Sequence, residues 1–163
     1  MTDPSVDTAE EKAGPAAARS RAERRRDTEH RLAHDVDVWV ASASADGAPY
    51  LVPLSFDWDG EALLLATPAA SPTGRNLAAS GTVRLGLGRT RDVAMIDGTV
   101  EVLEMGALPA ERAERFAART GFDPRSAGSP YRWFRVLPQR VQAWREENEL
   151  SGRDLMRDGR WLA

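Results

Sequence analysis

Cysteine is absent from the 163 residues and lysine nearly so, Lys12 being the one lysine among 22 basic residues. The first absence excludes disulfides, thiol nucleophiles and thiolate metal sites. The second leaves any cationic role in the folded part to arginine. Histidine is confined to His30 and His34, one helical turn apart. Metal sites need more ligands than two imidazoles, and no carboxylate or third histidine is placed to complete one, so the two read as a surface pair. No apolar run approaches the roughly eighteen residues of a membrane span, and no charged-then-apolar leader ends in small residues. The expectation is a cytoplasmic protein that meets no membrane. Positive charge is not in excess either, because the formal net charge of -3 argues against a nucleic-acid binder, whose affinity comes largely from neutralised phosphates.

What is present fits one soluble domain, with 42% apolar and 29% charged residues and enough chain for a single sizeable core. Residues 1–18 hold Asp, Glu, Thr, Pro and Ala with almost no large apolar side chain, so they are expected to form a disordered leader. Good helix formers then run from Arg19 to His34, predicting an N-terminal helix over residues 19–35 with a thin apolar stripe around Leu32. Arg19, Arg21, Arg24, Arg25, Arg26 and Arg31 are interleaved there with Glu23, Asp27 and Glu29. That mixture suits a solvated helix face with local pairing rather than a nucleic-acid arm.

From residue 36 the period changes. Val36, Val38 and Val40 alternate with Asp37, Trp39 and Ala41, the pattern of a strand with one buried face. Asp46-Gly47 and Asp59-Gly60 offer the positive φ that tight hairpins demand, so 36–41, 48–58 and 61–67 form an antiparallel meander. A short helix over 73–79, a strand over 82–88, a fifth over 92–104 with a bulge at Asp97-Gly98, and a helix over 109–120 follow. Two last strands, 131–136 and 140–144, are bent apart at Leu137-Pro138. Without a strand–helix alternation the sheet is not doubly wound. The reading is a mainly β domain over residues 36–163, an antiparallel split β-barrel of six to seven strands with short flanking helices.

The stretch with most chemistry is Leu63 to Leu77, a buried-looking strand running into a hydroxyl-rich loop and a helix start. Unpaired N–H groups and the positive end of the dipole favour a phosphate at such a place. Ser71 and Thr73 supply hydroxyls, and Arg75 a planar fork for phosphate oxygens. The same residues also suit a plain N-cap followed by a surface arginine. Trp39 and Trp58 read as core or rim packing, Trp144 and Trp161 could seal an interface, and Arg84 faces solvent on its strand.

The order of these elements resembles the pyridoxamine 5'-phosphate oxidase-like family of flavin- and deazaflavin-binding split β-barrels. The likeness is carried by Trp39-Val40-Ala41 before the first Asp-Gly turn, Pro49-Tyr50-Leu51-Val52-Pro53-Leu54 before the second, Ala66-Thr67-Pro68 followed by Arg75-Asn76-Leu77, and Phe134 to Trp144. It implies a homodimer holding FMN, or the deazaflavin coenzyme F-420, in a cleft between subunits. Thr67, Ser71, Thr73, Arg75 and Asn76 would hold the cofactor phosphate, and Val52, Pro53 and Leu54 would line its ring. Trp144 and Arg153 would arrive from the partner subunit.

Departures from the family pattern shape the functional reading. Many relatives carry Arg and Lys where this chain has Ser71 and Thr73, and no Ser-Arg-Pro-type segment for the vitamin phosphate lies between Ala107 and Pro130. True pyridoxamine phosphate oxidase activity is not expected. The resemblance implies instead an oxidoreductase passing hydride between a flavin-type cofactor and a small or planar substrate, in which the cofactor carries the chemistry. The alternative is a non-catalytic protein that carries or senses a cofactor or tetrapyrrole in the same cleft.

Overall fold

The computed structural model describes residue 14 and residues 16–163. Most of the leader expected over 1–18 lies outside the described residues. Helix α1 (Arg21–His34) opens with a capping box, in which Ser20 accepts from the Glu23 N–H and the Glu23 side chain reaches back to the Ser20 backbone. Eight strands follow: β1 (Asp37–Ala43), β2 (Pro49–Trp58), β3 (Leu63–Pro68), β4 (Thr82–Arg89), β5 (Asp92–Leu103), β6 (Tyr131–Trp144), β7 (Asp154–Arg157) and β8 (Arg160–Trp161). Helix α2 (Pro72–Ser80) joins β3 to β4, and α3 (Ala110–Thr120) lies between β5 and β6. The sheet order is β3-β2-β1-β4-β5-β6-β7-β8, and β3 also pairs with β6. That last pairing closes six antiparallel strands into a barrel and leaves β7 and β8 as an added hairpin.

The core lies inside the barrel, where Val38, Val40, Phe56, Leu63, Leu65, Leu85, Ile96 and Phe134 meet. Strand β3 is buried on both faces, which explains its unbroken apolar run. Leu63 and Leu65 point inward, while Leu64 and Ala66 meet Phe116 of α3 and Trp133 in a second cluster outside the barrel. Helix α3 is also held by charge: Arg112 meets Asp59 at 3.1 Å, and Arg115 meets the fully buried Asp57 at 3.2 Å.

Two expectations need correction. Residues 131–144 form one continuous strand rather than two bent apart at Pro138. The register shift needed to pass Pro138 is taken up across the pair, between Asp97 and Gly98. A Cβ on Gly98 would stand 2.5 Å from Val136 Cγ1, so only glycine lets the bulge close there. The second correction is the β7–β8 hairpin, whose turn residues Asp158 (φ 49°) and Gly159 (φ 71°) both take positive φ.

Candidate functional site

Strands β2 and β3 pair at Phe56 with Leu65, Asp57 with Leu64 and Trp58 with Leu63, and no further. Beyond Phe56, β2 continues along β1 from Ser55 to Pro49, while β3 continues along β6 from Leu65 to Pro68. The two strands therefore splay, and a cleft of about 340 Å³ opens in the gap. Proline is tolerated at position 53 because β2 has a free edge there. Pro53, Leu54 and Ser55 form one wall, Thr67 and Pro68 another, and Phe116, Phe122 and Tyr131 a third.

Helix α2 begins at the end of β3. Ser71 is its N-cap, accepting from the Gly74 N–H at 3.0 Å and donating to the Pro68 carbonyl at 2.8 Å. The Thr67 and Ser71 hydroxyls lie 3.2 Å apart, so they link the cleft to the helix start. The loop lies so close on the helix that a Cβ on Gly74 would come within 2.4 Å of the Pro68 carbonyl oxygen. Asn76 is buried and donates to the Ser42 hydroxyl at 3.1 Å, tying α2 to β1. Thr73 is buried too. Of the donors named for a phosphate, Arg75 is exposed, and its guanidinium meets only the Ala70 carbonyl, with no carboxylate against it among the described residues.

Val52 sits next to Pro53 on β2, half-buried and packed on the barrel core. Trp144 and Arg153 are brought together, the Arg153 guanidinium lying 5.2 Å from the centre of the Trp144 indole. They are not in the cleft of their own chain. Trp144 lines a separate groove of about 540 Å³ with Trp39, Leu51 and Met95. Cross-strand pairing places Pro53, Trp39, Gly86, Met95 and Gln142 in one outward row, so Pro53 borders the cleft and Trp39 the groove. Trp39 is 51% exposed and Leu51 60%. Arg84 is exposed, and its forked contact with Asp97, at 2.6 and 2.9 Å, holds that carboxyl below its ordinary range.

The tail is fastened by buried carboxylates on either side of Arg153. Asp154 accepts from Gln142 at 2.8 Å, Arg157 at 2.9 Å and Arg140 at 3.2 Å, which pins β7 to β6. Burial pushes its pKa up, yet these hydrogen bonds outweigh that and hold it at about 2. His30 and His34 stack on the surface of α1 with ring centres 4.1 Å apart, and among the described residues no group of three metal-ligating side chains is assembled.

Sequence reasoning missed the aromatic wall. Phe116 repeats in register with Ala113 on the apolar face of α3, and Tyr131 opens β6 just after Pro130, which are the signals that place them. Phe122 gives no such signal, since it stands in the loop after the α3 cap.

A family model described as pyridoxamine 5'-phosphate oxidase matches residues 29–145. Curated protein sequences give no match. Among solved structures, an F420 reductase is 20% identical with a TM-score of 0.58, covering 69% of this chain and 94% of its own. A putative pyridoxamine 5'-phosphate oxidase from Listeria innocua is 16% identical with a TM-score of 0.58, covering 76% and 99%. HupZ from Group A Streptococcus is 18% identical with a TM-score of 0.56, covering 73% and 94%. At such identities the neighbours show the split-barrel fold alone, while the family model spans most of the chain, and on it the chain belongs to the pyridoxamine 5'-phosphate oxidase-like family.

Proposed function

We propose that the protein is an oxidoreductase that binds a flavin-type cofactor, FMN or the deazaflavin F-420, in the cleft where β2 and β3 part. The observation that carries this reading is the cleft of about 340 Å³ lined by Thr67 and Pro68, with the Thr67 hydroxyl 3.2 Å from Ser71, the N-cap of the helix that bears Arg75, whose charge has no carboxylate partner among the described residues. Such a place suits a flat ring joined to an anionic tail. Val52, Pro53 and Leu54 would present backbone to the ring edge, and Arg75 would grip the phosphate. Ser71 and Asn76 act differently from a direct grip, because their polar atoms already hold the loop and helix in place. The bound cofactor supplies hydride transfer, while the chain binds it, orients it and keeps water from its ring.

A homodimer completes the reading. The apolar groove beside Trp39, Leu51 and Trp144 is the kind of exposed patch that marks an interface. A second copy packed on it would carry Trp144 and Arg153 of each protomer toward the cleft of the other. Titration of the purified protein with FMN and, separately, with F-420 tests the cofactor by the change in its absorbance spectrum. Binding of one is expected, with no hydrogen peroxide released on adding pyridoxamine 5'-phosphate. If neither spectrum changes up to millimolar cofactor, the oxidoreductase reading is lost. One observation favours a second reading, a non-catalytic carrier or sensor of a tetrapyrrole or other planar molecule: Ser71 and Thr73 put no charge beside Arg75. Binding of a tetrapyrrole without binding of either cofactor would select it.

A further inference from the structure

The third wall of the cleft is aromatic and belongs to no element of the cofactor loop. Phe116 comes from α3, Phe122 from the loop after it, and Tyr131 from the first residue of β6. The Phe122 and Tyr131 rings meet at 5.5 Å with a tilt of 52°, and Phe116 is set edge-on against Trp133 at 5.1 Å. These are the separations of preorganised ring pairs. Phe122 stays 43% exposed at the mouth, although its neighbours on this wall are buried or half-buried.

The arginines carried by the same elements are all paired with carboxylates. On α3, Arg112 meets Asp59 at 3.1 Å, while Arg115 and Arg119 meet Asp57 at 3.2 and 3.9 Å. Arg125 meets Asp123 at 2.8 Å, and Arg132, beside Tyr131, meets Glu104 at 3.0 Å. The polar groups on the opposite walls are engaged as well, Ser55 donating to Asp37 at 2.7 Å and Thr67 sharing a hydrogen bond with Ser71. An anion placed against this wall would lose its hydration and, among the described residues, find no free cation on the wall itself, which is costly. A neutral ring would lose only water it holds weakly.

We propose that this wall is the substrate subsite and that it selects an uncharged, flat aromatic molecule over an anionic one. The inference rests on reading the cleft as a ligand site and adds the class of its substrate. The test uses two probes of nearly the same shape, 2-naphthamide and 2-naphthoate, titrated by calorimetry into the full-length protein before and after saturation with whichever cofactor binds. The neutral amide is expected to bind at least about tenfold more tightly than the carboxylate, given the cost of stripping water from an unpaired charge. Phe122→Ala removes an exposed ring and is expected to fold, as circular dichroism will check, and to weaken the amide about tenfold while barely moving the carboxylate. Phe122→Leu, which keeps bulk, guards against a folding defect and should lose less.

Equal binding of the two probes, no binding of the amide at millimolar concentration, or indifference to Phe122 would overturn the assignment. Exclusion of the amide by bound cofactor would overturn it too, because the wall would then seat the cofactor ring. The two readings fail separately. If the amide binds through Phe122 and neither cofactor binds, the oxidoreductase reading falls and the subsite stands, whereas cofactor binding without probe selectivity has the opposite result.

Discussion

Replacing Glu149 by glutamine should cost stability in a way that disappears in acid. Glu149 lies in the turn after β6, only 3% exposed. Its carboxylate accepts four hydrogen bonds, from the Arg19 N–H at 2.8 Å, the Arg19 guanidinium at 3.0 and 2.8 Å, and the Arg145 N–H at 2.8 Å. Arg19 reaches on to Asp27 at 2.7 Å and Asp92 at 3.2 Å, so one carboxylate ties the approach to α1, the start of β5 and the turn before the tail. The Arg19 side chain, opposed by burial and helped by the two N–H donors, lowers the Glu149 pKa from 4.5 to about 2.

A carboxyl whose pKa falls on folding adds stability at pH values above its unfolded pKa and loses it as pH drops through the folded one. At about 1.4 kcal/mol per tenfold change in proton affinity, the fall from 4.5 to about 2 is worth about 3 kcal/mol at neutral pH. The same linkage leaves about half of that near pH 3. Glutamine keeps the shape and one acceptor but has no charge, so it leaves Arg19 partly unpaired in a buried site. Urea unfolding of wild type and Glu149→Gln, followed by tryptophan fluorescence, reads the gap. With a urea dependence of about 2 kcal/mol per molar, the midpoint should fall by about 1.5 M near neutral pH and by about half as much near pH 3. Asp154 and Asp97 also have lowered pKa values, so wild-type stability alone would not isolate Glu149. The difference between the two proteins does, and a gap that is the same at both pH values would refute the assignment.

Arg75→Ala should weaken cofactor binding by about one to two orders of magnitude, since charge-assisted hydrogen bonds contribute about 1.5 to 3 kcal/mol. Arg75→Lys should recover part of it, Arg84→Ala none of the loss should share, and equal affinities of the two alanine variants in calorimetry would make Arg75 an ordinary surface residue. Gly74→Ala drives a Cβ to 2.4 Å from the Pro68 carbonyl, so it should destabilise the fold by about 1–3 kcal/mol in urea unfolding; an unchanged midpoint would show that the loop yields freely. Trp39→Asp should convert the proposed dimer to monomer in sedimentation velocity, and a wild type that is already monomeric at micromolar concentration would remove the proposed interface.

The fold was legible where local chemistry and tertiary demand agree. Alternation in Asp37 to Val40, the positive φ at Gly47 and Gly60, and the register shift at Asp97-Gly98 all hold in three dimensions, whereas Val36 stays exposed before β1. Pro138 misled because a proline reads locally as a strand end, whereas a bulge that leaves Gln139 without a partner, opposite Asp97-Gly98, lets β6 run through it. The β7–β8 hairpin offered the same Asp-Gly signal at Asp158-Gly159, but Arg157 and Arg160 flank it where apolar residues flank a core strand. Its strands are short and one edge is free, so the pattern that marks half-buried strands is weak there. The site was half legible. Residues near in sequence, from Thr67 to Asn76, are near in space; that Phe122 faces Tyr131 depends on the return of α3 over the barrel, which no local pattern encodes.

The two parts of the proposed site are held by different physics, and this makes them separable in the laboratory. The α2 side is fastened by neutral groups: the Ser71 cap, the Asn76 amide on Ser42, and a glycine that lets backbone meet backbone. None of these titrates between neutral pH and pH 2. Arg153 stands between two carboxylates, Glu149 four residues before it and Asp154 next to it, each held at about 2 by hydrogen bonds to arginine. As pH falls from about 4.5 toward 2, the stability these carboxylates lend to the attachment of the tail declines, and protonation in the folded chain near 2 removes its fastenings, while those of the α2 loop persist. Cofactor affinity that depends on Arg75 alone should therefore survive mild acid, and the contribution of Arg153 should fade over that interval. An Arg153→Ala variant turns this into a measurement: its deficit in cofactor affinity should shrink as pH is lowered through the window, while the Arg75→Ala deficit remains. Deficits that move together would mean that the tail and the loop form one unit, contrary to their separate fastenings.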